Sequence, residues 1–121
     1  MAEHNILGNK GEEIAVDFLK NKGYRILNTN WRKGRYELDI VACFNEELVV
    51  VEVKTRSDNS IIAPEEAVDR KKILHIVAAA NKYVCYFDID LPVRFDIIAI
   101  TGGKIEHIED AFYPPAMFDK S

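Results

Sequence analysis

An aspartate, a glutamate and a lysine carry the chemistry that this chain offers most plainly. Asp39 lies in the run YELDIVACF, and Glu52 and Lys54 lie in the run ELVVVEVKTR, on either side of the polar pair Asn45-Glu46. Both runs alternate in character, so the stretch reads as a β-hairpin. Val49, Val51 and Val53 are expected on one face of the second strand, with Val50, Glu52, Lys54 and Arg56 on the other. In the first strand Leu38, Ile40 and Ala42 are expected to share a face opposite Glu37, Asp39, Val41 and Cys43. A two-residue loop at Asn45-Glu46 then sets Asp39 across from Glu52 and Glu37 across from Lys54. Directly opposed residues have Cβ atoms about 4.5–5.5 Å apart, and like charges so placed repel. Two carboxylates beside so apolar a run call for a neutralising partner, and a divalent cation held by oxygen ligands supplies one. A neighbouring lysine suits the same chemistry, since it orients water or offsets charge on a phosphate. Glu37 is a candidate to pair with Lys54 and tune it.

The elements that must position these groups are legible on both sides of the hairpin. A helix is expected over residues 8–21, with Ile14, Ala15, Phe18 and Leu19 as its apolar stripe and Leu7 and Gly11 falling on it. Asn5 or Asn9 is placed to cap it, and Gly23 to end it in the left-handed conformation. Gly8 and Gly11 cost helix propensity, which suggests close approach of the helix to a sheet. Glu13 points away from the stripe toward solvent, whereas Glu12 sits on its border and reaches across a core edge. A first strand follows at about 24–31, with imperfect alternation, and leads into the basic turn Arg32-Lys33-Gly34-Arg35 beside Trp31. The hairpin strands are expected at 36–44 and 47–56. Ser57 to Pro64 reads as a polar loop, and a long helix is expected over 64–85, with Pro64, Glu65 and Glu66 suiting its first turn. Val68, Ile73, Leu74, Ile76, Val77, Ala80, Tyr83 and Val84 form its buried face. Lys71, His75 and Lys82 project away as solvent residues, while Lys72 lies on the border. Strands at about 93–101 and 104–109 close the chain, joined by a turn at Gly102-Gly103. Arg94 and Asp96 share a face there and are expected to pair with each other. The aromatic tail beyond Asp110 reads as an extended segment on the surface.

Composition narrows the function. At 121 residues and 48% hydrophobic content the chain fits one domain, residues 1–121, with a real core. A net charge of −4 excludes a protein that coats nucleic acid through a bulk basic surface, but leaves room for a local basic groove beside an acidic cation site. No run approaches membrane-spanning length and the start lacks an apolar signal segment, so the expected location is the cytoplasm. Cys43 and Cys85 fall in apolar stretches without metal-ligand spacing, and two reduced, buried thiols are expected. His4, His75 and His107 are too scattered for a zinc site.

Helix, three strands, helix and two strands make an α/β sandwich with a mixed sheet, and the residues along it resemble a known family. Gly8 and Gly11-Glu12 lead into Ala15 and Phe18-Leu19, followed by Gly23-Tyr24-Arg25-Ile26-Leu27 and Asn30-Trp31-Arg32. Then come Glu37-Leu38-Asp39-Ile40-Val41-Ala42, Val51-Glu52-Val53-Lys54-Thr55-Arg56, Ala67-Val68 with Lys72, Arg94-Phe95-Asp96 and Asp110-Ala111-Phe112. This set resembles the small YraN-like family of bacterial proteins, within the restriction-endonuclease-like PD-(D/E)xK nuclease superfamily. One departure is Tyr36, where the family usually has Gly.

The resemblance implies a central mixed β-sheet of about five strands flanked by helices, in the order α-β-β-β-α-β-β. It implies an active site of Asp39, Glu52 and Lys54, with Glu12 as fourth member, a layout similar to archaeal Holliday junction resolvases. Asp39, Glu52 and Glu12 would hold Mg²⁺ or Mn²⁺, with the Val53 carbonyl, and Lys54 would orient the attacking water in phosphodiester hydrolysis. Lys72, Arg56 and Arg32 are candidates for contacts to a nucleic-acid backbone, DNA before RNA. A homodimer, with the Tyr113-to-Phe118 tail at its interface, fits an enzyme that cuts both strands. Two other classes use the same residues differently: a non-catalytic nucleic-acid-binding or repair-associated module, and a partner-binding domain whose acidic hairpin is a solvated face. DNA binding that survives Asp39→Ala without cleavage marks the first, and indifference of thermal stability to Mg²⁺ or Mn²⁺ marks the second.

Overall fold

Alternating apolar residues in five short runs become five strands of one sheet. The computed structural model describes residues 3–56 and 69–113, the first seven of them by backbone alone. The order is α1 (Glu3–Asn21), β1 (Arg25–Lys33), β2 (Tyr36–Phe44), β3 (Glu47–Arg56), α2 (Arg70–Phe87), β4 (Val93–Thr101) and β5 (Lys104–Ile108). This is the expected α-β-β-β-α-β-β arrangement, and the strands lie in sequence order across the sheet. Neighbours are antiparallel except β3 and β4, which pair in parallel along Leu48–Arg56 and Val93–Thr101. A parallel pair needs a crossover, and α2 lies in that connection.

Each face of the sheet carries one helix. Ala15 and Leu19 of α1 pack with Tyr24, Ile40, Ala42, Val49, Val51, Ile98 and Ile100. Ile76, Val77, Ala79, Ala80 and Tyr83 of α2 pack on the opposite face with Trp31, Leu38, Val41, Val50, Phe95 and Ile97. Tyr83 pins α2 to β1 by donating its hydroxyl hydrogen to Asn28 Oδ1 (2.6 Å) and meeting the Trp31 ring edge to face. Among the described residues no helix is long and apolar enough to cross a membrane.

Local rules explain the turns. Asn45 and Glu46 both adopt left-handed backbones, φ 51° and 63°, as a two-residue type I′ hairpin requires. Gly23 ends α1 at φ 94°. Its N–H donates to the Lys20 carbonyl and that of Tyr24 to the Leu19 carbonyl, a Schellman pattern with the expected apolar contact between Tyr24 and Leu19.

Several boundaries and faces differ from the sequence reading. α1 begins at Glu3, so Asn5 and Asn9 lie within it and neither caps it. α2 begins at Arg70 because Asp69 caps it: its backbone is extended and its side chain accepts from Lys72 N–H (2.9 Å). The expected helical start at Pro64, with Glu65, Glu66 and Val68, and the loop from Ser57 lie outside the described residues, as do Pro114 to Ser121. At the other end α2 runs to Phe87, where left-handed Asp88 donates to the Val84 and Cys85 carbonyls. Cys43 and Cys85 are both free thiols as expected, but Cys85 is exposed and Cys43 only half-buried, because Cys85 falls off the helical stripe that Tyr83 and Ala80 occupy.

Leu38 packs on the α2 side, whereas Ile40 and Ala42 pack on the α1 side. The alternation therefore skips at Asp39. Opposite it, β1 pairs Thr29 with Ile40 and Trp31 with Leu38, and the intervening Asn30 is left-handed at φ 51°. A second irregularity between Ile26 and Asn28 accounts for the imperfect alternation of β1.

Gly11 is where α1 touches the sheet. A Cβ there would lie 2.8 Å from Thr55 Cγ2, closer than carbon atoms tolerate. Gly11→Ala gains about 1 kcal/mol of helix propensity against about 1–3 kcal/mol of overpacking. The expected result is a Tm a few degrees lower, restored when Thr55→Ser removes the offending methyl; thermal melts of the three variants check this coupling.

Candidate active site

The expected register holds along the hairpin, from Phe44↔Glu47 to Ile40↔Val51, and the described pairing stops there. Past that point β3 stays paired with β4 but leaves β2. A backbone donor freed inside a sheet must find another partner, and the Val53 N–H donates to Asp39 Oδ2 (2.9 Å). Asp39 is thus fixed in the gap where β2 and β3 part, at the residue where β2 changes faces.

From that gap Asp39 meets charges of both layers. On the α2 side Glu52 Oε2 lies 3.4 Å from Lys72 Nζ and 3.8 Å from Lys54 Nζ. On the α1 side stands Glu12, in a cleft of about 480 Å³ shared with Glu13, Val16, Asp17, Thr29 and Asn30. Burial pushes the Glu12 carboxyl up to about 7, and the charges of Asp39, Glu37 and Glu52 add to that against Arg32. Asp39 is raised by burial, with Glu37 adding and the Val53 N–H, Lys72 and Lys54 opposing. Glu52 is raised by burial and then by Asp39, against both lysines. Three acids held near one another, each reluctant to ionise, form a site short of positive charge.

That donor set fits a hard divalent cation, which takes oxygen ligands and reverses the local pKa balance. The fit is partial in the geometry seen. Among the described residues no group of three acidic, His or Cys side chains is gathered tightly enough to cage an ion. The Asp39 charge raises both Glu52 and Glu12, which makes it the acid common to the other two.

The remaining candidates separate. Lys72 stands with the central group through Glu52. Arg32 instead pairs with Glu37 at 3.9 Å on the exposed edge, since β1 and β2 set those two residues opposite each other. Glu37 therefore faces Arg32, and the expected pairing with Lys54 is not seen. Arg56 Nε and Nη1 are buried without a hydrogen-bond partner among the described residues. Lys71 and His75, expected in plain solvent, line a groove of about 680 Å³ with Arg35, Lys54, Asp69 and Lys72. The missed signal is that His75 follows Lys72 by three residues and Lys71 by four, spacings that a helix turns into one wall. Glu13 is exposed, as expected.

The raised acids make stability fall with pH in the absence of a cation. A group whose folded pKa is raised contributes stability that is present below its unfolded pKa and lost as pH rises through the folded one. For Glu12 that window runs from 4.5 to about 7, and Asp39 and Glu52 act in the same direction. The expected result is a Tm in chelator that declines across this window. Saturating Mg²⁺ flattens the decline, which a pH series of melts with and without the ion checks.

The comparisons with known proteins agree on one family. The model described as "Uncharacterised protein family UPF0102" matches residues 11–100. A UPF0102 protein of Parabacteroides distasonis is 56% identical over 119 residues, spanning 95% of this chain and 98% of the relative. One from Bacteroides fragilis matches with the same identity and spans. One from Flavobacterium psychrophilum is 51% identical over 117 residues, spanning 93% and 98%.

Proposed function

The chain belongs to UPF0102, the YraN family that its sequence resembles, and from its carboxylate site we propose that it is a divalent-cation-dependent nuclease acting on DNA. The observation that carries this reading is Asp39 locked in the strand gap by the Val53 N–H, with Glu52 and Lys54 on the adjoining strand and Glu12 across the layer. Asp39 and Glu52 would hold Mg²⁺ or Mn²⁺ directly and Glu12 through water. When bound, the ion would acidify a water and offset charge on the phosphate.

The chain's own groups do the rest. Hydrolysis adds water across one P–O ester bond, leaving a phosphomonoester and a free sugar hydroxyl. Lys54, 3.8 Å from Glu52 Oε2, would hold the attacking water by donating a hydrogen bond to it. Lys72, whose Nζ lies 3.4 Å from Glu52 Oε2, would meet a phosphate oxygen of a strand held beside the site. The basic groove beyond them accounts for how an acidic protein binds a polyanion locally.

The test is cleavage of labelled duplex, single-stranded, flap and four-way-junction DNA by the purified chain in Mg²⁺, Mn²⁺ or chelator. Metal-dependent cutting that disappears in Lys54→Ala supports the reading. Cutting that persists in that variant, or its absence on every substrate, rejects it.

A further inference from the structure

The groove beside Lys54 and Lys72 has an aromatic wall as well as a cationic one. Tyr36 opens β2, three residues before Asp39, and its ring stacks on His75 of α2 with centroids 6.1 Å apart and planes 24° apart. Lys82 Nζ lies 5.7 Å from the Tyr36 centroid. Both rings line the same groove as Arg35, Lys54, Lys71 and Lys72, with Asp69 the one acid among the described residues there. Three residues of strand span about 10 Å, and residues three apart on a helix share a face. The ring pair is therefore carried by the two rigid elements that carry Asp39 and Lys72.

A flat aromatic surface among cations offers a nucleic-acid strand two contacts at once, stacking for a base and charge for its phosphates. In a duplex both faces of each base are covered by its neighbours, so only an unpaired base presents a face to such a surface. The groove's volume of about 680 Å³ falls within the range of about 300–1,000 Å³ typical of small-ligand clefts. That size suits a nucleotide rather than a double helix.

We propose that the Tyr36–His75 pair is a stacking platform for an unpaired base, so that the strand taken into this groove is single-stranded DNA or the single-stranded arm of a branched one. The proposal rests on the nuclease reading for what happens next to the platform, but its test does not require cleavage. Fluorescence anisotropy in chelator compares an oligothymidylate, an abasic strand of equal length and a blunt duplex on the full chain. The oligothymidylate is expected to bind about 10-fold more tightly than the abasic strand. Tyr36→Ala removes that preference and leaves abasic binding unchanged, while Tyr36→Phe keeps it. Equal affinity for the base-bearing and abasic strands in the wild type overturns the proposal. So does a Tyr36→Ala variant that weakens both alike, which marks a merely structural ring. A base preference in a chain that cuts nothing in Mg²⁺ supports the platform and rejects the enzyme. Cutting without a base preference does the reverse.

Discussion

Asp39→Asn is expected to reduce metal-dependent cleavage by at least about 10²–10³-fold while raising the melting temperature measured in chelator. Both effects follow from one change. The asparagine carbonyl still accepts from the Val53 N–H, so the gap between β2 and β3 keeps its hydrogen bond. What disappears is a buried negative charge that raises the pKa of Glu52 and of Glu12. A site arranged for a cation stores repulsion in the cation's absence, and removing one of its acids releases that repulsion. Single-turnover cleavage and a thermal melt on the same preparation measure the two effects together. A variant that loses activity and also melts lower would instead assign Asp39 a structural role.

Asp96→Ala is expected to be the most destabilising single substitution at a polar position, by about 3–5 kcal/mol. Asp96 is fully buried and accepts from every side. Arg94 donates through Nε to Oδ1 (2.9 Å) and through Nη2 to Oδ2 (2.8 Å). His107 Nε2 donates to Oδ2 (2.8 Å) and the Asp110 N–H to Oδ1 (2.9 Å). Lys22 Nζ donates to His107 Nδ1 (2.8 Å), which leaves the ring's proton on Nε2, facing Asp96. Arg94 also donates to the Tyr24 hydroxyl. Truncation to alanine leaves Arg94 with Glu47 (3.4 Å) and the Tyr24 hydroxyl alone and takes the acceptor from the imidazole N–H. For a chain of this size the loss corresponds to a fall in Tm of roughly 10–20 °C, read directly from a melt.

Asp96 also gives the fold an acid limit. Burial pushes its carboxyl up, but hydrogen bonds from His107, Arg94 and the Asp110 N–H outweigh that and hold it below its usual value. A lowered folded pKa contributes stability above the unfolded value of 3.8, lost as pH falls through the folded one. The raised Glu12 carboxyl acts in the opposite direction at higher pH.

What could be read in the sequence was local. Alternation over Tyr36–Phe44 and Glu47–Arg56, with Asn45-Glu46 between them, is enough to set the hairpin register up to Ile40↔Val51. The expected continuation to Asp39↔Glu52 is not formed, because the strands part there and Asp39 accepts from the Val53 N–H instead. The apolar stripe of Ala15 and Leu19 and the glycine at 11 likewise specify which side of α1 meets the sheet. Features that depend on irregular backbone or on distant partners were not legible. The skip at Asp39 arises from left-handed Asn30 on the neighbouring strand, and no period-2 pattern encodes it. Arg94 and Asp96 announce their own pairing, but Tyr24 lies 70 residues from Arg94 and His107 lies 11 from Asp96. The Tyr36–His75 stack joins a strand to a helix across the chain. At the start of the described α2, the Asp69 side chain caps the Lys72 N–H, a signal that the sequence reading passed over; Pro64 lies outside the described residues.

Whether Asp39, Glu52 and Glu12 together seat a divalent cation is read most directly by calorimetric titration with Mn²⁺. A carboxyl that is protonated near neutrality must release its proton to bind an ion. With Glu12 at about 7, the expected result is a single Mn²⁺ site that releases more protons at about pH 6 than at about pH 8, and that is lost in Asp39→Asn. Absence of uptake at millimolar Mn²⁺, or uptake undiminished in Asp39→Asn, would contradict it.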